Sequence, residues 1–414
     1  MLGPVFAAEL RQLDFLTRIS CLGRLLFGVP CDVEPLCATE RNQCFLLKLH
    51  VPRRRRIPKE LVLRLAIKDA FYHKGRVLAE ASAMMYIRER TASRVPISPI
   101  YGWATNEGLL GSGFLILDHI VHGRRLDECW DGLPLETKHQ TIQHYARITY
   151  EMYHLTFDRI GSICMDPEGT FIIGPIQAEK FEPPPEGRDE AYETRRSHRI
   201  FQRASDWLSS MEMEENERLA TWHEYGRETL PTGMSWHGAT DLSNNLLMRF
   251  LPSISSICEE AEANALNGQF YVYNPSLDSS DILIETEGRN AGNIISLLSW
   301  QYAGSYPLWR LAGLPLFCTT RTDRQPRPSN EVLDFHTTFV GEIAKLAGVS
   351  SPLYRAASLR WDILRTLANV VSQPWYCLAA RQAWIEEFER HQEEREAEAA
   401  GWSSEEAMSV SSDD

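Results

Sequence analysis

Residues 270–317 read FYVYNPSLDSSDILIETEGRNAGNIISLLSWQYAGSYPLWRLAGLPLF. Two short apolar runs, one at Ile282 to Ile284 and one beginning at Ile294, lie on either side of a turn around Gly288. That pattern predicts a hairpin. Just before the hairpin stand Asn274, Ser276, Asp278 and Asp281, and after it runs an aromatic-rich segment from Trp300 to Phe317. Polar side chains gathered at the mouth of a short hairpin are the residues whose chemistry has to be weighed.

This stretch resembles the core of the aminoglycoside phosphotransferase family, in its large fungal branch, which runs approximately HPDLHPSNILVDxxGxxxGIIDWEYAGxYPxWRLAG. On that resemblance Asn274 stands for the His, Ser276 for the Asp that orients the acceptor hydroxyl, Asp278 for the second His and Asp281 for the magnesium-ligating Asn. The second metal-binding Asp has two candidate positions, because IISLLSWQYAG is longer than IIDWEYAG. It is Ser296 if the register follows Ile294 and Ile295, and Ser299 if it follows Trp300.

Neither position holds an acid. A serine is uncharged at neutral pH and a poor base, so the ~10²- to 10⁴-fold help of a positioned acid or base is expected to be missing at Ser276. Asp281 is at least as good a magnesium ligand as the Asn it replaces, and Glu285 lies on the same extended segment. Asp281 also reads as a simple turn residue ahead of the strand.

Upstream, CFLLKLHV (Cys44 to Val51) and ELVLRLAI (Glu60 to Ile67) alternate as two strands, with the arginine run Arg53 to Arg56 in a water-exposed connection. The segment from Gly75 to Arg90 is read as a helix with one apolar stripe through Val77, Ala81, Met84, Met85 and Ile87 or Arg88. The run Phe114 to Leu117 reads as a buried strand ending at Asp118. The resemblance makes its exit the hinge between two lobes and places Asp118 and Ile120, with Arg64 and Glu80, among the cofactor-binding residues. Arg64 takes the place of the phosphate-pairing cation, and Glu80 that of its partner. The turn within Cys37 to Phe45 carries no glycine, so its backbone is expected to approach phosphates poorly.

Further along, Pro134 to Leu155 is expected to be a long helix, and Phe157 to Ile176 a hairpin turning at Asp166 to Gly169. FEPPPEGRDE is read as a loop. Helices are expected from about Thr194 to Glu228, from about Asp241 to Ala263, and over most of 330–400. HGATDLSNNLL, from His237 to Leu247, mimics a catalytic motif but has the wrong spacing. His237 and Asp241 remain as a bare metal pair without a third ligand.

Composition sets the outer bounds. The chain has 414 residues, 43% hydrophobic and 24% charged, which is ample for two lobes. A formal net charge of −13 makes nucleic acid a poor partner. The nine cysteines have no CxxC pairing and suit reduced thiols. The N-terminal residues lack the pattern of a signal peptide, and no segment reaches the ~20 apolar residues of a span, so a cytoplasmic or nucleocytoplasmic location is expected.

The fold class expected is α+β, a two-lobed protein-kinase-like fold with a small antiparallel-sheet lobe and a larger, mainly helical lobe. The domains are expected at 1–39 (an N-terminal extension), 40–117 (the small lobe), 118–400 (the large lobe) and 401–414 (a disordered acidic tail). The function expected is that of a catalytically impaired pseudo-phosphotransferase, a binding or regulatory module that takes ATP and Mg weakly. The alternative is an active ATP-dependent small-molecule kinase in which Asp278, Asp281 or Glu285 replaces the lost acids. A hydrolase or metal protein built on His237 and Asp241 has only their spacing behind it. The partner, whether small molecule or protein, is not specified by the residues.

Overall fold

Alternation in the first strands sorts their side chains onto two faces. In the computed structural model, β1 (Cys31–Ala38), β2 (Asn42–Leu49), β3 (Glu60–Ala66), β4 (Ile100–Ala104) and β5 (Phe114–Asp118) form an antiparallel sheet in the order β1-β2-β3-β5-β4. The structure describes residues 14–39, 42–52, 57–67, 74–105, 107–177, 199–221, parts of 241–258, 268–320, 326–358, 367, 382–390 and 393. The arginine run Arg53 to Arg56, the proline-rich stretch 181–190, His237 and the tail 401–414 lie outside those residues.

One face of the sheet carries Phe45, Leu47, Leu61, Leu63, Leu65, Phe114 and Ile116, packed with Ile19 and Leu22 of helix α1 (Phe15–Phe27). Helix α1 starts at Asp14, whose side chain accepts the Thr17 amide, and stops at Gly28 in the left-handed region (φ 65°). Helix α1 and strand β1 therefore belong to the sheet lobe. Residues 15–38 cover the apolar face of β2 and β3.

The opposite face carries Leu115, Leu117 and Ala66 into the main core, against helix α2 (Lys74–Arg90). The expected single apolar stripe on α2 is corrected by the structure. Val77, Ala79, Ala81, Ala83, Met84 and Ile87 are buried, and so are Arg76, Glu80 and Ser82. The helix is enclosed on nearly all sides, and its small alanines allow that close approach.

Beyond β5 come the two-residue strand β6 (Arg124–Arg125), the short helix α3 (Leu126–Cys129) and the long helix α4 (Leu135–Tyr153). Then follow β7 (Thr156–Phe157), β8 (Gly161–Met165) and β9 (Phe171–Gly174), with the turn at Asp166 to Gly169 closed as expected by the Gly169 amide on the Asp166 carbonyl. Helix α5 (Ala204–Thr221) precedes β10 (Phe270–Tyr273), β11 (Ile282–Ile284), β12 (Ile294–Leu297) and β13 (Gly304–Tyr306). Helices α6 (Leu308–Leu311), α7 (Leu316–Thr319), α8 (Ser329–Ala347) and α9 (Pro352–Ser358) complete the described elements. Two small sheets form here, β7-β10-β13-β8-β9 and β12-β11-β6. Between α4 and α8 an aromatic cluster of Trp130, Tyr145, Phe317, Phe335 and Phe339 fills the core, mostly with edge-on or tilted rings.

The architecture is α+β. The chain divides into two compact units, residues 1–204 with 265–360 and residues 205–264 with 361–414. In the first unit the sheet lobe and the hairpins share one continuous core. In the second unit Trp384 stacks on Phe388 at 5.3 Å, and Arg249 holds Glu389 through two hydrogen bonds of 3.2 and 2.7 Å. Among the described residues no helix is long and apolar enough to cross a membrane.

Candidate functional site

Arg64 alternates with Leu63 and Leu65, so its side chain leaves the α1 face and points toward α2. There its Nη2 lies 2.6 Å from Glu80 Oε1, in a pair whose side chains are only 10% and 4% exposed. The expected ion pair is present. Both partners also hold backbone from the other lobe: Arg64 Nη1 donates to the Leu298 carbonyl at 2.9 Å, and the Trp300 amide donates to Glu80 Oε1 at 2.9 Å. Ser299 is the residue between those two anchors.

The β11–β12 hairpin forms as expected, with Ile282 opposite Leu297, Leu283 opposite Ser296 and Ile284 opposite Ile294. Ser296 is therefore a strand residue. It is 1% exposed, and its hydroxyl lies 3.5 Å from that of Ser98. Of the two registers left open above, only Ser299 stands beside the Arg64–Glu80 pair.

Asn274 joins the remaining parts. It is 3% exposed; its Nδ2 donates to the Ser299 carbonyl at 2.6 Å, and its Oδ1 accepts the Ser276 amide at 3.2 Å and the Ser276 hydroxyl at 2.9 Å. The one proton of the Ser276 hydroxyl is thereby committed to a neighbouring side chain, while its lone pairs remain. Sequence reading registered Asn274 only as a substitution for His and missed this bridge. The Leu298 carbonyl and Trp300 amide were missed as well, since backbone groups leave no residue-type signal.

Asp278 and Asp281 form a reciprocal capping arrangement around the short 3₁₀ turn Ser279–Asp281. The Ser279 amide donates to Asp278 Oδ1 at 2.6 Å, and the Asp278 amide to Asp281 Oδ2 at 3.5 Å. The turn-residue reading of Asp281 is correct as far as it goes. Burial also pushes its carboxyl up to about 6; the Asp278 amide and the Arg64 cation pull the other way, and Asp278 and Glu80 add to the rise. The Asp281 carbonyl accepts the Leu298 amide at 2.8 Å, which ties the turn to the Ser299 segment.

The residues at the exit of β5 stand apart from these. Asp118 ends β5 and accepts the Tyr101 hydroxyl at 3.2 Å, next to His119, whose Nδ1 lies 2.8 Å from Glu60. Ile120 follows, half-buried. In the β1–β2 turn the Thr39 amide donates to the Asn42 carbonyl at 2.8 Å, and the Asn42 amide to the Thr39 hydroxyl at 3.1 Å. The Asn42 amide is thus already used within the turn. A cavity of about 470 Å³ on α4, lined by Leu135, Glu136, His139, Gln140 and Gln143, shares no residue with the Arg64 cluster.

As a magnesium site the arrangement offers one carboxylate, Asp281, with the Ser299 segment beside it. Among the described residues no three His, Cys, Asp or Glu side chains converge. Magnesium commonly takes one or two carboxylates and completes its shell with phosphate oxygens and water, so Asp281 fits a weak, ligand-completed site. Asp241 is exposed on a helical segment.

The sheet lobe, its enclosed helix, and the helical region with its hairpins define an α+β protein. The chain is similar to solved aminoglycoside phosphotransferases. The streptomycin–ATP ternary complex of APH(2″)-IIa matches at 9% identity and a TM-score of 0.47, covering 90% of this chain and 97% of that one. The GDP and kanamycin complex of APH(2″)-IIIa matches at 13% and 0.45, covering 92% and 98%. ADP-bound APH(2″)-Ib matches at 10% and 0.46, covering 90% and 97%. No protein-family model and no curated protein matches the sequence. Likeness at this level assigns no chemistry, so the chemistry has to come from the residues themselves.

Proposed function

We propose that this protein is an aminoglycoside-phosphotransferase-like module that has lost efficient phosphoryl transfer and serves to bind or regulate. The observation that carries the reading is the anchoring of the Ser299 segment. Arg64 and Glu80 are ion-paired, and Arg64 Nη1 and Glu80 Oε1 are engaged by the Leu298 carbonyl and the Trp300 amide, at the place where a phosphate-bound cation and a metal-bound acid would be needed. With serines at 276 and 299, the acceptor oxygen has no base and the metal no bridging carboxylate. ATP and magnesium would be held weakly, through Asp281 and the Arg64 region.

The rival reading is an active ATP-dependent small-molecule kinase, and one observation favours it. Asp281 is a half-buried acid in the field of Arg64, with its carboxyl at about 6, so a bound cation would readily keep it ionised. A thermal-shift titration with ATP and ADP, with and without magnesium, separates the two readings. Ligand at 100 times its dissociation constant stabilises a fold by about 2.7 kcal/mol, which is easily seen. The impaired-module reading expects a small shift or none and no ATP turnover. A clear magnesium-dependent shift with turnover, abolished in Asp281→Ala, establishes the kinase instead.

A further inference from the structure

A run of three side chains crosses the sheet lobe from its edge inward: Cys37 on β1 opposite Cys44 on β2, and Cys44 opposite Arg64 on β3. The first pairing depends on an irregularity. Cys31 through Pro35 pair with Leu49 through Phe45 in one register, which shifts between Pro35 and Cys37. Without that bulge at Leu36, Cys37 would face Gln43; with it, two cysteines become direct cross-strand neighbours. Side chains directly opposite in an antiparallel pair hold their Cβ atoms ~4.5–5.5 Å apart, and a disulfide needs ~3.5–4.5 Å. Among the described residues β1 is an edge strand, paired on one side only and bulged at this point, so a small shift of its backbone toward β2 breaks no second ladder.

We propose that Cys37 and Cys44 are a thiol pair that closes reversibly into an intrachain cross-strand disulfide when it meets a low-molecular-weight disulfide such as oxidised glutathione. Cys37 is exposed and Cys44 half-buried, so Cys37 is the point of attack and Cys44 the resolving partner. The Cys37 thiolate attacks one sulfur of the small disulfide; a mixed disulfide forms and one small thiolate leaves. The Cys44 thiolate then attacks the Cys37 sulfur and expels the second small thiolate. Two electrons have passed from the cysteine pair to the small disulfide, and the two cysteine protons end on the two small thiols.

The surroundings suit that order of events. Burial first, then Cys37, push the Cys44 thiol up to about 12, with the Arg64 cation acting against the rise. Cys44 is thereby kept from reacting before Cys37 has, and a Cys37 mixed disulfide brings an electrophilic sulfur directly against it.

The test uses the full chain, equilibrated with graded ratios of reduced and oxidised glutathione at low protein concentration, alkylated while folded, and digested with trypsin. Cleavage after Arg41, between the two cysteines in sequence, separates Leu25–Arg41 from Asn42–Lys48. The expected result is one species joining these peptides, lighter than their sum by two hydrogens, lost on reduction, retained in Cys31→Ser and absent in Cys37→Ser. The Cys31 variant is needed because that residue shares the first peptide. The proposal is overturned if Cys37 accumulates only as a glutathione adduct, if the pair stays reduced in a large excess of oxidised glutathione, if the cross-link survives Cys37→Ser, or if it joins two chains.

Discussion

A single carboxyl carries much of the electrostatic tension in this molecule. Asp281 sits at about 6 mainly because it is buried. A folded-state value above the usual carboxylate range means that the folded chain binds the proton more tightly than the unfolded one. Its contribution is therefore favourable at low pH and is lost as pH rises from about 4 to about 6. Raising a carboxyl by one pH unit corresponds to about 1.36 kcal/mol, so the penalty above that window approaches roughly 3 kcal/mol. Asp281→Asn should remove it. Urea denaturation at pH 4, 5, 6 and 7 is expected to show the variant gaining on the parent through that window and staying ahead above it; parallel curves would show the carboxyl to be unshifted.

Arg64 and Glu80 make the opposite case at the same scale. Removing one partner of a buried pair leaves the other charge uncompensated, at a cost of about 3–5 kcal/mol, whereas removing both costs less than the sum. Arg64→Met and Glu80→Gln should each lower stability by about that much, and the double variant should fall well short of additivity in denaturant titrations. The expectation that these two residues would pair came from the family resemblance. Their grip on Leu298 and Trp300 was not, because it joins residues more than two hundred positions apart through backbone atoms.

At the scale of elements, the β11–β12 hairpin is seated on α4 by contacts that need a glycine. Gly292 has φ 95°, and a Cβ there would lie 2.7 Å from the Thr137 carbonyl oxygen, a backbone atom that cannot step aside. Next to it Gln140 donates to Asn293 Oδ1 at 3.1 Å, and the Ile294 amide donates to His144 Nδ1 at 2.8 Å. Gly292→Ala should cost roughly 1–3 kcal/mol, read from the thermal midpoint, and should loosen the hairpin in hydrogen exchange. Gly288, at φ 79° with nothing near its missing side chain, makes only the turn. Sequence marked Gly288 as the hairpin's turn; that Gly292 is the docking point required the packed helix.

For the whole molecule, charge is the property that reaches furthest. A formal −13 repels a polyanion, and the arginine at the centre of the candidate site is neutralised in place. The chain is expected to show no retention of duplex DNA in a filter-binding assay at about 0.15 M salt, where screening has shortened the reach of the field to about 8 Å. Measurable retention there would reveal a basic surface of its own.

Sequence alone determined the elements and their order, because period-2 and period-3.6 burial is written locally: β2, β3, β5, α4 and the hairpin after Asp281 all lie where alternation and turn residues put them. It also determined that serines stand at 276, 296 and 299, since residue identity needs no coordinates. Tertiary structure decided that Ser299, not Ser296, stands beside Arg64 and Glu80, that α1 and β1 complete the sheet lobe, and that a one-residue bulge brings Cys37 opposite Cys44. Those three depend on register and on which faces meet, and register is set by contacts between segments far apart in the chain.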